Sequence, residues 1–415
     1  MTKTVQPENV SLTAYKFRLR DFLLGAQMLF VAFGALVLVP ILAGLNPNVA
    51  LFTSGLGTLC FQIVTGGKVP VYLASSFAFI APITLGIEKY GLSGTLSGLG
   101  AAGVVYLILS LIVFWGGSRI IDRVLPAIVT GSVIMVIGLG LAPTAVEMAT
   151  GAGDNYSAAI ATFVAIVSLL ATILTAIVAT GFWRLIPILV GIVAGYGISL
   201  PLGLVDFSPV VQAPWLAIPS FTVPSFSLPA ILFIVPVAIA PAIEHIGDVL
   251  AIGSVTGNDY VRDPGIHRTL LGDGIATTLA AFLGGPPNTT YSEVTGAVAL
   301  TKSFNPGIMT WAAIAAIFLS FVGKLGAILQ TIPVPVMGGI LIVLFGTVVI
   351  IGMDTIMRSG ENLLQPRNIA IAGAILMLGI GGASFKSGAF ALEGIGLSSI
   401  VGVLLNLLLP QGKNS

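Results

Sequence analysis

Apolar runs of about 20 residues, the length a helix needs to cross a bilayer core, follow one another from Phe22 nearly to Pro410. Of the 415 residues, 56% are apolar and only 8% are charged. Soluble domains average about 25% charged residues. Because so few charges could not cover a soluble fold, the pattern predicts an all-α polytopic membrane protein.

Polar residues and Gly/Pro breaks divide the chain into fourteen predicted transmembrane segments. They cover residues 22–43, 50–66, 71–86, 92–115, 124–142, 158–181, 184–201, 228–251, 268–284, 288–302, 306–329, 334–352, 366–382 and 388–409. The first segment is longer than the apolar part of a signal peptide and lacks a small-residue cleavage site, so we expect it to be retained.

The distribution of Lys and Arg predicts the orientation of these segments. If the chain starts inside, only Lys89, Lys324 and Lys386 of the 17 Lys and Arg lie outside. The positive-inside rule predicts this asymmetry, and one segment more or less in the middle would remove it. Both termini are therefore expected in the cytoplasm.

Two short segments differ from the others because Gly and Pro interrupt them. They are the third, VYLASSFAFIAPITLG at 71–86, and the tenth, NTTYSEVTGAVALTK at 288–302, which follows GGPP. The fifth and twelfth segments also resemble each other, so the chain is predicted to contain two repeats of seven segments. Seven is odd, so the second repeat enters from the opposite side, and paired interrupted segments in inverted repeats indicate a midplane binding site. Close helix packing is the alternative explanation of a single Gly.

Most acidic residues fall in predicted loops or at segment ends, but three do not. Glu293 is at the centre of the tenth segment, and Glu244 and Asp248 lie four apart in the eighth, on one helix face. A carboxylate at membrane depth faces protein or a water-filled cavity, which favours a substrate site. A buried carboxyl group also retains its proton more readily, which suits proton coupling. The alternative is that these acids only join helices through Ser, Thr or backbone groups.

Other candidate residues are weaker. His245 lies about a quarter turn from Glu244 and is expected either to take part in coupling or to be structural. Asp273 is interpreted as a helix-contact or capping residue. Phe77, in the interrupted third segment, is a candidate for stacking on a planar ligand.

At these residues the chain resembles the nucleobase:cation symporter family, also called the nucleobase/ascorbate transporter family, and within it the bacterial uracil permeases. The similarity covers essentially the whole chain. Its most specific motifs are FGALVLVPILAGLNP (33–47), GKVPVYLASSFAFIAP (67–82), AIEHIGD (242–248), RDPGIHR (262–268), GGPPNTTYSEVTGAVALT (284–301) and VGKLGAILQTIPVPVMGG (322–339).

The resemblance implies fourteen transmembrane segments in a seven-plus-seven inverted repeat, with a short strand and a half-helix in segments three and ten. It also implies two domains that move against each other, and a homodimer. The core domain would comprise 22–118 and 228–330, the gate domain 119–227 and 331–410, and the cytoplasmic tails 1–21 and 411–415.

The resemblance also implies roles for individual residues. Glu244 and Glu293 would hold a pyrimidine by hydrogen bonds, and Ala35 would contact it from the first segment. Phe77 and Tyr291 would contribute backbone amides and ring contacts. The implied substrate-binding set is completed by Ser292 and Phe345, and the proton-coupling set is Glu244, Asp248, Glu293 and His245.

Five positions depart from the family pattern. Met28 follows Gln27 where uracil permeases usually place His, and Asp248 stands where some of them have His. Ser292 replaces the usual Gly, Val294 replaces Asn, and Phe345 stands where Tyr is expected. Both Glu residues are retained, so these departures bear on the choice of base and on the proton route.

We therefore expect a transporter, with no metal or cofactor, that imports uracil with H⁺ across the bacterial inner membrane. A xanthine or purine permease and Na⁺ coupling remain open. An anion carrier would need a basic residue in the interrupted segments, and only Lys302 stands at an end of one. A channel needs a continuous polar pore, whereas the polar residues here cluster at one depth. An enzyme is disfavoured because the only histidines are His245 and His267, with no clustered metal ligands.

Overall fold

The computed structural model describes residues 13–117, 123–151, 157–387 and 390–410. The predicted tail 411–415 and the first residues of the predicted fourteenth segment lie outside them. Within the described residues, seven helices are long and apolar enough to cross a membrane, and four shorter helices are apolar. The chain is an integral membrane protein that is mostly helical.

The first half of the chain contains one interrupted segment. Helices α1 (Phe22–Leu42) and α2 (Pro47–Val64) precede strand β1 (Leu73–Ser75), and a 3-10 turn then leads into α3 (Ile80–Gly116). Helix α3 breaks at Gly91, whose φ of 70° is not helical, so the predicted boundary between segments 71–86 and 92–115 is a kink within a continuous run. Next come α4 (Ala127–Thr150), α5 (Ala158–Val178), α6 (Pro187–Ser199) and the short α7 (Ser208–Gln212).

The second half contains the other interrupted segment. Helix α8 (Leu228–Ile234) passes through a 3-10 turn into α9 (Ile239–Thr256), and α10 (Ile266–Phe282) follows. Strand β2 (Asn288–Thr290) then leads into the ten-residue helix α11 (Ser292–Thr301). The remaining elements are α12 (Gly307–Ser320), α13 (Gly323–Gln330), α14 (Val334–Ser359), α15 (Pro366–Ile380), β3 (Ser384–Ser387), β4 (Phe390–Glu393) and α16 (Gly394–Leu408).

Several predicted boundaries were wrong. The segment predicted at 306–329 is two helices, α12 and α13. Helices α4 and α14 continue to Thr150 and Ser359, well past the predicted ends at 142 and 352. In both helices the additional turns include an acidic residue outside the predicted segment, Glu147 in α4 and Asp354 in α14. A helix satisfies its own backbone hydrogen bonds, so it can extend beyond its most apolar stretch.

Strands β1 and β2 pair antiparallel in the interior, in the register Leu73↔Thr290, Ala74↔Thr289 and Ser75↔Asn288. A two-stranded ribbon leaves its outer backbone edges unpaired, which is costly away from water. Hydroxyl groups of α2 satisfy one edge, because Ser54 donates to the Leu73 carbonyl at 2.8 Å and Thr58 accepts from the Leu73 N–H at 3.0 Å. On the other edge, Thr277 of α10 donates to the Asn288 carbonyl at 2.9 Å.

The closest packing between helices joins the first half of the chain to the second. Helix α10 packs against α2 and α3, and α12 packs against α1 and α2, whereas α14 packs against α4 and α5. The loop between α7 and α8 contacts the start of α2 and the end of α10. Its Ser220 accepts a hydrogen bond at 2.8 Å from Asn46, which caps α2. Its Thr222 N–H donates to the Leu283 carbonyl at 3.3 Å, just after α10.

Candidate functional site

Residues of both interrupted segments line a small cavity beside the ribbon. It is lined by Phe77, Ile134, Glu244, Thr290, Tyr291, Ser292, Glu293, Val348 and Ile351. Its free volume is about 10 Å³, close to the minimum for one water molecule. A planar base therefore requires the walls to move apart.

Two carboxyl groups from different elements face this cavity. Glu244 lies on α9, and Glu293 lies in the first turn of α11, where an acidic side chain is stabilised by the helix dipole. None of the nine lining residues is basic. The site thus offers hydrogen-bond acceptors and the N-terminus of a half-helix, and it carries no cationic side chain for an anion. In the described part of the chain, no group of three His, Cys, Asp or Glu residues could hold a metal ion.

Aromatic residues form one side of the cavity. The ring of Phe77 is 6.1 Å from that of Tyr291 and 5.6 Å from that of Phe345, the latter at an edge-to-face angle of 89°. The Tyr291 hydroxyl donates to the Ser75 carbonyl at 2.9 Å. This bond joins the two interrupted segments directly beside the cavity.

Asp248, predicted to share the cavity with Glu244, does not line it. Its Oδ1 accepts a hydrogen bond from the Ser292 hydroxyl at 2.6 Å, and its Oδ2 accepts one from the Thr290 hydroxyl at 3.0 Å. The side chain is buried beneath the connection between β2 and α11. Helical spacing correctly indicated the face, but this connection covers the Asp248 end of it.

His245 and Asp273 form a fully buried pair. The His245 Nδ1 atom lies 2.8 Å from Asp273 Oδ2, and both side chains are 0% exposed. Thr290 Oγ1 lies 3.3 Å from the same ring nitrogen. Asp273 is therefore a helix contact, as predicted, joining α10 to α9, and His245 points toward it and not into the cavity.

Two other predicted residues lie outside the cavity wall. Ala35 is buried in α1 and is not a lining residue. Phe345 is buried and contacts the lining residue Phe77 edge to face. The cavity, at about 10 Å³, does not extend to either side chain.

Four lining residues were not anticipated from the sequence. Thr290 lies within the interrupted segment, so the polar residues around it could have identified it as a lining residue. Ile134 of α4 and Val348 and Ile351 of α14 carried no such signal, because apolar residues occupy nearly every position of those helices. They form much of the apolar part of the cavity lining.

A larger apolar cavity of about 290 Å³ lies beside the site. Its lining contains Ala78 and Ala81, which follow Phe77 in the chain, and Gly140 of α4 and Gly396 of α16. Like the carboxylate site, this cavity is lined by residues that follow β1 and by residues of α4.

Two proteins with similar sequences are described as uracil permeases. A "probable uracil permease" of Pasteurella multocida (strain Pm70) is 54% identical over 391 residues, which cover 94% of each chain. The "uracil permease" of Bacillus caldolyticus is 47% identical and covers 93% of this chain and 91% of its own length.

Among solved structures, the murine anion transporter Slc26a9 in its inward-facing state matches with a TM-score of 0.69 at 13% identity. The match covers 98% of this chain and 72% of that one, and at such low identity it shows the fold alone. The model of the Permease family, Xan_ur_permease, matches residues 20–387. The chain belongs to this family, the nucleobase/ascorbate transporter family of permeases, and is a transporter and not an enzyme.

Proposed function

We propose that the protein is a secondary active transporter that imports uracil together with H⁺ across the bacterial inner membrane. The observation that carries this proposal is the pair of carboxyl groups, Glu244 and Glu293, at a cavity without a basic residue. Uracil is a flat molecule with N–H and C=O groups along its edge. Carboxylates accept from its N–H groups, and backbone N–H groups at a half-helix N-terminus can donate to its carbonyl oxygens.

The names of the relatives support the same substrate. Both the Pasteurella and the Bacillus proteins, described as uracil permeases, cover more than nine-tenths of this chain. The similarity to an anion transporter does not favour anion transport here, since the cavity has two acids and no cation. In the proposed complex, Phe77 and Tyr291 supply ring and backbone contacts, and Ser292, Ala35 and Phe345 complete the surroundings of the base.

Transport is proposed to occur by alternating access. The core domain (22–118 and 228–330) would move against the gate domain (119–227 and 331–410), and the fourteen segments would form an inverted repeat with cytoplasmic termini. Because the cavity holds about 10 Å³, binding must separate Glu244 and Glu293 from Ile134, Val348 and Ile351 on α4 and α14. The apolar cavity next to Ala78 lies on the path that such a separation would open.

Protonation is proposed to be coupled to binding through the acidic network. Glu244 is the principal ligand and the candidate proton carrier, with Glu293, Asp248 and His245 around it. A ligand favours a conformation only by its differential affinity for it, so uracil must bind the protonated, closed state more tightly. We also propose a homodimer, in keeping with the resemblance described above.

Binding of labelled uracil to the purified protein tests the substrate, with unlabelled thymine and xanthine as competitors. We expect uracil to compete best, and Glu244→Gln to lower uracil affinity at least 10-fold. Glu147→Gln, which removes an acid outside the cavity, is the matched control and should bind as the parent does. Parent-like binding by Glu244→Gln, or stronger competition by xanthine, would contradict the proposal.

Proteoliposomes test the coupling ion. An inward proton gradient should drive accumulation of labelled uracil, and collapsing it with a protonophore should abolish accumulation. Uptake that ignores the proton gradient and follows an imposed Na⁺ gradient would establish the alternative, a sodium-coupled symporter.

A further inference from the structure

Asp248 holds the first turn of α11 through side-chain hydrogen bonds. Ser292, the first residue of that helix, donates to Asp248 Oδ1 at 2.6 Å, and Thr290, the last residue of β2, donates to Oδ2 at 3.0 Å. Both separations are usual for O–H···O hydrogen bonds, about 2.5–3.0 Å. The two bonds attach the connection between β2 and α11 to α9.

Thr290 is held in turn by contacts with α9 and with the ribbon. The Thr290 hydroxyl lies 3.3 Å from His245 Nδ1, which lies 2.8 Å from Asp273 Oδ2 on α10. Thr290 also pairs with Leu73 in the ribbon. Asp248 is only 4% exposed, so water competes little with its two hydroxyl partners.

This arrangement controls where Glu293 points. Ser292 and Glu293 are consecutive, so any rotation of the first turn of α11 that breaks the Ser292 bond also displaces the Glu293 carboxylate. Glu244 precedes Asp248 by one turn on α9. The bond between Asp248 and Ser292 thus sets the position of one cavity carboxylate relative to the other.

We propose that Asp248 is a positioning residue and that Ser292 is its dedicated partner. Together they fix α11 against α9 so that Glu293 and Glu244 face the same ligand, and Asp248 itself does not touch the base. The inference rests on the proposed binding of uracil at these two residues. It also explains why Asp248 and Ser292, two of the departures from the family pattern, meet in a single contact.

Equilibrium binding of labelled uracil to purified variants tests this role. Ser292→Gly removes the hydroxyl and should weaken binding about 10-fold, the upper part of the range for the net contribution of one hydrogen bond. Ser292→Thr keeps the hydroxyl and should restore affinity to within about 2-fold of the parent. Thr301→Val is the matched control, because it removes a hydroxyl of α11 that bonds only to the Ala297 carbonyl of its own helix.

A double-mutant cycle tests whether the two residues act as a unit. Asp248→His is expected to weaken binding more in the parent than in the Ser292→Gly background, by at least about 5-fold, as for residues in direct contact. Thermal unfolding in detergent is measured for every variant, and affinities are compared only among variants that unfold cooperatively. Because Ser292 also lines the cavity, the coupling between the two positions is what separates positioning from direct contact with the base. Asp248→Ala, which removes the acceptor, takes the place of Asp248→His in the cycle if that variant does not fold.

The outcomes separate this inference from the proposed function. If the parent binds no uracil, both are overturned. If the parent binds uracil but Ser292→Gly binds it equally well, or Ser292→Thr is as weak as Ser292→Gly, the positioning role alone is overturned. Strictly additive effects of Asp248→His and Ser292→Gly would also overturn it.

Discussion

Replacing Asp273 with Ala removes one member of a buried ionisable pair. The His245 Nδ1 atom, 2.8 Å from Asp273 Oδ2, would be left with only Thr290 Oγ1 at 3.3 Å. Both side chains are 0% exposed, so water cannot replace the lost partner. Leaving a buried donor without its acceptor costs about 1–3 kcal/mol. At about 1.4 kcal/mol per tenfold, the folded-to-unfolded ratio should fall by roughly 5- to 140-fold.

Equilibrium unfolding in mixed detergent micelles measures this change. Asp273→Asn keeps an oxygen that can accept from the imidazole, so it should lose less than half as much free energy of unfolding as Asp273→Ala. Ser320→Ala is the control, because its buried hydroxyl bonds only to the Ile317 carbonyl of its own helix. The double variant His245→Ala/Asp273→Ala should lose less free energy of unfolding than the sum of the losses of the two single variants. An Asp273→Ala protein that loses less than about 1 kcal/mol relative to the parent, or fully additive effects, would refute the reasoning.

Two further predictions concern packing and motion. A Cβ at Gly131 of α4 would overlap the backbone of α14, whereas a Cβ at Gly140 of the same helix meets nothing within 4 Å. Gly131→Ala should therefore lower the free energy of unfolding by about 1–3 kcal/mol and Gly140→Ala should not; equal losses would contradict this. Residue 220 falls within the range assigned to the gate domain, but its hydrogen bond to Asn46 attaches this end of the range to α2 of the core. Asn46→Cys/Ser220→Cys, bridged by a short cleavable thiol crosslinker in a Cys60→Ser background, should therefore transport uracil as the uncrosslinked protein does. Loss of uptake on bridging, restored on cleavage, would show that this loop moves against α2 during transport.

The membrane class and the location of the site could be predicted from the sequence. Long apolar runs with few charges are compatible only with a bilayer, and the polar, Gly- and Pro-interrupted stretches cannot form ordinary membrane helices. The acids Glu244 and Glu293 could be assigned to the site for the same energetic reason. A carboxyl group within an apolar span requires a polar or protein-lined environment.

Facing directions could not be predicted in the same way. On a soluble helix, polar residues mark the exposed side, but a membrane helix is apolar toward both lipid and protein. Ile134, Val348 and Ile351 therefore carried no signal, although they line the cavity. The helix ends were missed for a related reason, since hydropathy marks the apolar stretch of a helix and not its last hydrogen-bonded turn.

The sequence by itself determined that this chain spans a membrane and that its two interrupted segments contain the candidate site, because burial of charge and backbone in an apolar medium permits few alternatives. Only the tertiary structure decided which acid faces the cavity. Glu244 and Asp248 lie one turn apart on the same face of α9, so the sequence does not distinguish them. In the structure, the connection between β2 and α11 covers Asp248 and supplies its two hydroxyl partners. That distinction depends on a contact between residues more than 40 positions apart in the chain, which no local pattern encodes.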